Sequence, residues 1–172
     1  MNIAILDAAY ADDAAGVGCV LAGDWTAAAG VVIGRTFALV PEAYVPGAFY
    51  KRELPLLLAV LGEVAPPPTV VVVDGYVWLG ADRARGLGAH LFDALGSTIP
   101  VIGVAKTRYR DDTWSAQVRR GQSRSPLYVT AAGLDGADPA ALVASMHGAH
   151  RIPTLLQQAD RAARAALAAP RA

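Results

Sequence analysis

Two apolar spacings alternate along the chain, and their alternation orders its elements. Asn2 to Ala8 (NIAILDA), Gly16 to Ala22 (GVGCVLA) and Gly30 to Leu39 (GVVIGRTFAL) are short apolar runs divided by glycine or polar residues, the mark of strands. Three such runs in succession predict an antiparallel meander. Pro41 to Gly47 (PEAYVPG) closes it. From Phe49 to Val64 the period lengthens, and Leu56, Leu57, Val60 and Leu61 share one face of a predicted helix that tolerates Pro55 near its first turn. Pro66 to Pro68 end that helix. Thr69 to Gly80 follows as TVVVVDGYVWLG, in which four successive valines predict a strand buried on both faces that ends on a carboxylate, Asp74.

The later pattern predicts a helix over Arg85 to Leu95, a buried strand over Ile99 to Ala105, strands over Trp114 to Arg120 and Pro126 to Thr130, and helices over Pro139 to Met146 and Leu155 to Leu167. There is no internal repeat and no long linker, so residues 1–172 are expected to form a single domain. Its class is α/β, with a mixed central β-sheet flanked by helices. A meander followed by a helix and a parallel strand is the order of the ribonuclease H-like fold.

Composition supports this core, since 54% of 172 residues are hydrophobic. No apolar run reaches the roughly 18 residues of a membrane span, and the amino end lacks a basic signal-peptide start, so no membrane partner and a cytoplasmic location are expected. The single cysteine, Cys19, lies in a strand-like run and reads as core. A formal net charge of zero conceals a polarised chain. Residues 1–100 hold five Lys and Arg against ten Asp and Glu, and residues 101–172 hold ten against five. Lys106, Arg108, Arg110, Arg119, Arg120 and Arg124 crowd one segment with Tyr109 and Trp114 between them, which suits either a nucleic-acid-facing stretch or a solvated hairpin.

Open α/β sheets collect chemistry beyond the carboxyl ends of their strands. Asp74 stands at such an end, Asp7 closes the first apolar run, and Glu53 lies about one turn into the first predicted helix. If the first strand and the valine strand are neighbours, these carboxylates meet across one crevice and repel unless a cation lies between them. Hard oxygen ligands favour Mg²⁺. Taken singly, Asp74 also suits a turn, Asp7 a loop and Glu53 a helix surface.

Five ordered motifs carry a resemblance: YVPGAFYKRE (Tyr44 to Glu53), VVVDGYVWLG with GLGAHL (Val71 to Leu91), VIGVAKT (Val101 to Thr107), PLYVT (Pro126 to Thr130), and HRIP with AD (His150 to Asp160). Together they resemble the endonuclease V family. That resemblance implies a ribonuclease H-like fold and a Mg²⁺-dependent endonuclease, with Mn²⁺ as a substitute metal. It further implies cutting at the second phosphodiester bond 3′ to a deaminated purine such as inosine. Asp7, Glu53 and Asp74 become the metal acids, Lys106 the catalytic lysine and His150 the late-motif histidine. Tyr44, Pro46 and Gly47 become the base-handling loop. Gly75, beside the metal acid, lets backbone approach a ligand closely, and Arg108 and Arg110 are expected to contact phosphates if the basic segment faces the substrate. The implied partner is DNA containing deaminated bases, with inosine RNA as the variant substrate, bound by a monomer.

The chain departs from the family pattern at Ala43, which replaces a proline, and at Ala132-Gly133-Leu134. It also departs at Tyr76 to Gly80, which lacks a histidine. Tyr76 and Trp78 are left with three readings: pocket lining, base stacking or core. A non-catalytic nucleic-acid-binding protein of the same fold is the alternative, disfavoured because clustered acids gain nothing beside a polyanion.

Overall fold

The first three strands, β1 (Ile3–Tyr10), β2 (Ala14–Ala22) and β3 (Val31–Ala38), form the antiparallel meander that the spacing predicts. Helix α1 (Phe49–Leu61) then leads to β4 (Val70–Asp74). A hairpin of β5 (Trp78–Leu79) and β6 (Ala84–Arg85), helix α2 (Leu87–Ala94), β7 (Val101–Ala105), β8 (Ala116–Val118) and β9 (Leu127–Ala132) follow. Helices α3 (Pro139–Ser145) and α4 (Thr154–Ala168) complete the regular structure of the described residues. This computed structural model describes residues 1–39 and 49–169.

Seven strands make one sheet in the order β3-β2-β1-β4-β7-β9-β8. β4 pairs in parallel with both β1 and β7, and β9 is antiparallel to both β7 and β8. Valines of β4 alternate between two cores, which is why the run carries no polar residue. Val70 and Val72 pack with Ile3, Ile5, Leu155, Leu156 and Ala159 on the α3–α4 side. Val71 and Val73 pack with Leu6, Leu57, Val60 and Leu91 on the α1–α2 side.

Gly18 fixes how closely α4 approaches the sheet. A Cβ there would stand 2.3 Å from the Ala159 carbonyl oxygen, so only glycine lets the helix backbone lie on β2 at this level. Gly18 pairs with Asp7, so the close approach brings α4 down beside that acid.

Several boundaries differ from the sequence reading for local reasons. β8 keeps only Ala116–Val118 of the strand expected from Trp114. The Asp112 carboxylate accepts from the backbone N–H of Trp114 and of Ser115, both at 3.1 Å, and holds the chain in a turn. Arg85 belongs to β6 and not to the following helix, which starts after Gly86. The β5–β6 hairpin itself is unannounced, because two-residue strands are too short to show a period.

Candidate active site

Side chains alternate along a strand, and this rule brings three charged groups onto one face. Asp7 follows Ile3 and Ile5, Asp74 follows Val70 and Val72, and Lys106 follows Ile102 and Val104, each at the two-residue step, on the side covered by α4. Parallel pairing of β1 with β4 ends at Leu6 and Val73, so Asp7 and Asp74 stand level, each one residue past it. Asp7 is not at a strand end, contrary to the expectation. β1 continues to Tyr10 because its antiparallel pairing with β2 runs on through Ala15. The level at which its parallel neighbour's pairing stops, and not the end of β1, opens the crevice that this half-buried carboxylate borders.

Asp7, Asp74 and Lys106 border one small crevice with Leu156 and Ala159. The Lys106 ammonium donates a hydrogen bond to Asp74 Oδ2 and forms an ion pair with it. Glu53 reaches the same charges from α1 and is 8% exposed, a buried acid and not a helix-surface one. It lies on the stripe of Leu57, Val60 and Leu61, so the helical period that buries those residues buries it too.

The electrostatics follow from this crowding. Burial, reinforced chiefly by the Asp74 charge, pushes the Asp7 carboxyl up to about 6. Burial and then the charges of Asp7 and Asp74 push Glu53 up to about 8. For Lys106, burial favours the neutral amine. The hydrogen bond and charge of Asp74, with Asp7 and Asp160 behind them, outweigh burial and hold it above the ordinary lysine value.

Between about pH 4 and 8 the folded, metal-free protein binds more protons at Asp7 and Glu53 than the unfolded chain does. This stabilisation is complete in acid and is lost as pH rises through the two folded values. The melting temperature should therefore fall from pH 5 to pH 8, by an amount equivalent to a few kcal/mol. Glu53→Gln should flatten the upper part of that fall; thermal melts in chelator across the range check both statements.

Asp160 is the acid that the sequence reading leaves without a role. It sits on α4, one residue after buried Ala159 and one turn after Leu156, and its charge acts on both Asp7 and Lys106. Both of its oxygens also accept from Arg164 Nε at 3.0 Å. The available signal was its place four residues after Leu156, at the edge of the packed stripe.

The remaining expected residues separate. His150 is exposed, and its imidazole makes no hydrogen bond among the described residues; its carbonyl accepts from Arg120 Nη1 at 3.2 Å. Gly75 has φ +146, and a Cβ there would meet nothing within 4 Å, so space is open beside Asp74. Arg108 and Arg110 are exposed, and Arg108 Nη2 donates to the Asp112 carbonyl at 3.0 Å. Tyr44, Pro46 and Gly47 lie outside the described residues. Tyr76 is buried, its hydroxyl donating to the Thr107 carbonyl and accepting from Tyr109 N–H.

Arg120 overturns part of the reading of the basic segment. It is 7% exposed, and its guanidinium donates to the carbonyls of Met146, Gly148 and His150. Arg151 pins the same stretch from the other side, donating to the carbonyls of Lys106 and Pro126. Arg120 is therefore a brace for the chain between α3 and α4 and not a phosphate contact. Arg120→Met should leave three acceptors unsatisfied and cost on the order of 2–4 kcal/mol in urea unfolding. A stability equal to wild type would show that the carbonyls find water.

Fold and site together define a ribonuclease H-like protein with a carboxylate centre at the ends of its parallel strands. The chain belongs to the endonuclease V family: the family model for Endonuclease V matches residues 1–136. Endonuclease V of Streptomyces coelicolor is 35% identical over 175 residues, covering 84% of this chain and 73% of that relative. Endonuclease V of Rhodospirillum centenum is 44% identical over 77 residues, covering 44% of this chain and 30% of that relative. The crystal structure of endonuclease V from Streptomyces avermitilis superposes with a TM-score of 0.78 at 28% identity, covering 97% of this chain and 81% of that one. Ciona intestinalis endonuclease V, crystallised with a 24mer DNA containing an inosine followed by a ribo-adenosine, gives a TM-score of 0.72 at 19% identity. That match covers 96% of this chain and 85% of the Ciona chain, and at such identity it speaks for the fold.

Proposed function

We propose that this protein is a Mg²⁺-dependent endonuclease that cuts a nucleic-acid strand at the second phosphodiester bond 3′ to a deaminated purine such as inosine. The observation that carries this reading is the meeting of Asp7, Asp74 and Lys106 on one sheet face, with buried Glu53 on α1 close enough for its charge to couple to both aspartates. Inosine comes from the DNA bound by the Ciona relative and from family membership.

The residues present fit a hard divalent cation. Asp7 and Glu53 are held partly or largely protonated near neutral pH by burial and mutual repulsion, a cost that a cation among the acids would remove. Among the described residues no three acid, histidine or cysteine side chains converge tightly enough to share one ion as they stand. The long-range coupling and the missing convergence are compatible, because charges act over greater distances than coordination allows and because Lys106 takes up Asp74 Oδ2. Asp7, Asp74 and Glu53 would hold Mg²⁺ or Mn²⁺, with Asp160 as a further acid. When bound, the ion supplies Lewis-acid stabilisation of charge on the phosphoryl oxygens.

The chain's own groups do the rest. Lys106 directs its ammonium at charge developing on the phosphoryl or leaving oxygen. His150, exposed on the stretch that Arg120 braces, is left open to contact the substrate. Tyr44, Pro46 and Gly47 handle the extruded base, and Gly75 leaves room for its approach. Arg108 and Arg110 take backbone phosphates.

Matched oligonucleotides, each with one inosine in DNA or in RNA, test the proposal when incubated with the protein and Mg²⁺. The expected product ends at the second phosphodiester 3′ to inosine, and excess chelator abolishes it. Binding to both strands with no cleavage of either would instead identify a non-catalytic binder.

A further inference from the structure

The two loops that leave the Asp74 and Lys106 strands pack on each other and build a second concavity beside β9. Trp78 Nε1 donates to the Ala131 carbonyl at 2.9 Å, and Trp114 Nε1 donates to the Ala81 carbonyl at 2.7 Å. The Arg83 guanidinium contacts both indoles, 4.9 Å from the Trp78 centroid and 4.7 Å from that of Trp114. Arg83 has φ +52, a left-handed conformation that arginine rarely adopts. Beside this stack opens a groove of about 440 Å³, which Asp135 and Asp138 also line.

Each feature narrows what the groove can take. Its volume falls within the range of small-ligand sites and admits a nucleotide-sized group. Both indole N–H groups are already spent on carbonyls, so the rings offer faces and not donors. The cation position against the two rings is filled by the chain's own Arg83, so the groove is not an open cage for a foreign ammonium. Trp114 is 51% exposed yet fixed by its hydrogen bond, a flat apolar platform with its ordering cost already met by the fold. Asp138 caps α3 through the Ala140 N–H. Asp135 is exposed, so it repels phosphates from the floor and can accept from the amino edge of a base.

We propose that this groove is an accessory nucleobase site, which takes an unpaired base of the substrate strand and stacks it on Trp114. Its phosphates stay outside the groove, away from Asp135. The proposal rests on the endonuclease reading for the strand's arrival at the acids. Continuity supports it, because a strand lying across Asp74 and Lys106 is one loop away from the groove.

The test is anisotropy with labelled single strands, as DNA and as RNA of one sequence, in Ca²⁺ to suppress cleavage, with each nucleotide in turn made abasic. Wild type should lose about tenfold in affinity when one particular nucleotide outside the inosine is made abasic, the value of one base stacked on an aromatic ring. Trp114→Ala should lose a similar factor on the intact strand and be indifferent to that abasic position. Trp114→Phe should retain most of the affinity, and unchanged melting of all variants excludes a folding defect. Position-specific loss in either DNA or RNA supports the groove. Equal affinity of Trp114→Ala and wild type for both strands, or no sensitive position, overturns it. Inosine cleavage measured alongside separates the two readings: cleavage without abasic sensitivity removes the groove alone, and abasic sensitivity without cleavage removes the endonuclease alone.

Discussion

Asp74→Asn should abolish single-turnover cleavage, by at least about 10³-fold, while binding of the same inosine strand survives or tightens. The rate loss follows from the several kcal/mol that a bound cation contributes to a phosphoryl transition state, each 1.4 kcal/mol being tenfold. The binding result follows from charge, since the substitution removes a negative group that faces phosphates and frees Lys106 from its ion pair. Replacement is nearly isosteric, and Asp74 ends its strand half-buried, so the fold should hold. Full activity in this variant, or wild-type activity undiminished by chelator, would take Asp74 out of the site.

Lys106→Met should lower the single-turnover rate by roughly 10² to 10³ and weaken inosine-strand binding in Ca²⁺ by no more than about tenfold. Methionine keeps the length of the side chain and removes its charge. An ammonium carried at the end of buried β7, with its own carbonyl pinned by Arg151, is preorganised for charge that develops during reaction. Such a contact contributes to rate more than to binding. Collapse of binding with an unchanged rate at saturating enzyme would make Lys106 a positioning residue.

How far the chain could be read in advance depended on which physical signal each residue carried. The valine run, the meander and the strand leading to Lys106 were legible because short apolar runs and the residues that end them are local properties. Asp7 was legible as a residue but not in its setting, since its exposure depends on where β4 stops pairing while β2 continues. Glu53 looked like a surface acid until helix phase put it on the stripe of Leu57, Val60 and Leu61. Asp160 and Arg120 show the same limit from opposite sides. Composition gives the sign of a charge and not its direction, so an acid on α4 that reaches Asp7 and Lys106 resembled half of a surface pair. An arginine satisfied by three carbonyls resembled a phosphate contact. The Trp78–Arg83–Trp114 stack could not be read at all, because Trp114 reaches it only through the Asp112 turn and a loop contact to Ala81.

The claim that Asp7, Glu53 and Asp74 form a cation site beside Lys106 is tested most directly by calorimetric titration of Mn²⁺ into the metal-free protein at pH 7.5, without nucleic acid. Wild type should give saturable binding, Arg124→Ala should match it, and Asp74→Asn should lose at least about tenfold in affinity, or roughly 1.4 kcal/mol. Equal binding by wild type and Asp74→Asn, or no saturable binding by wild type, would contradict the assignment.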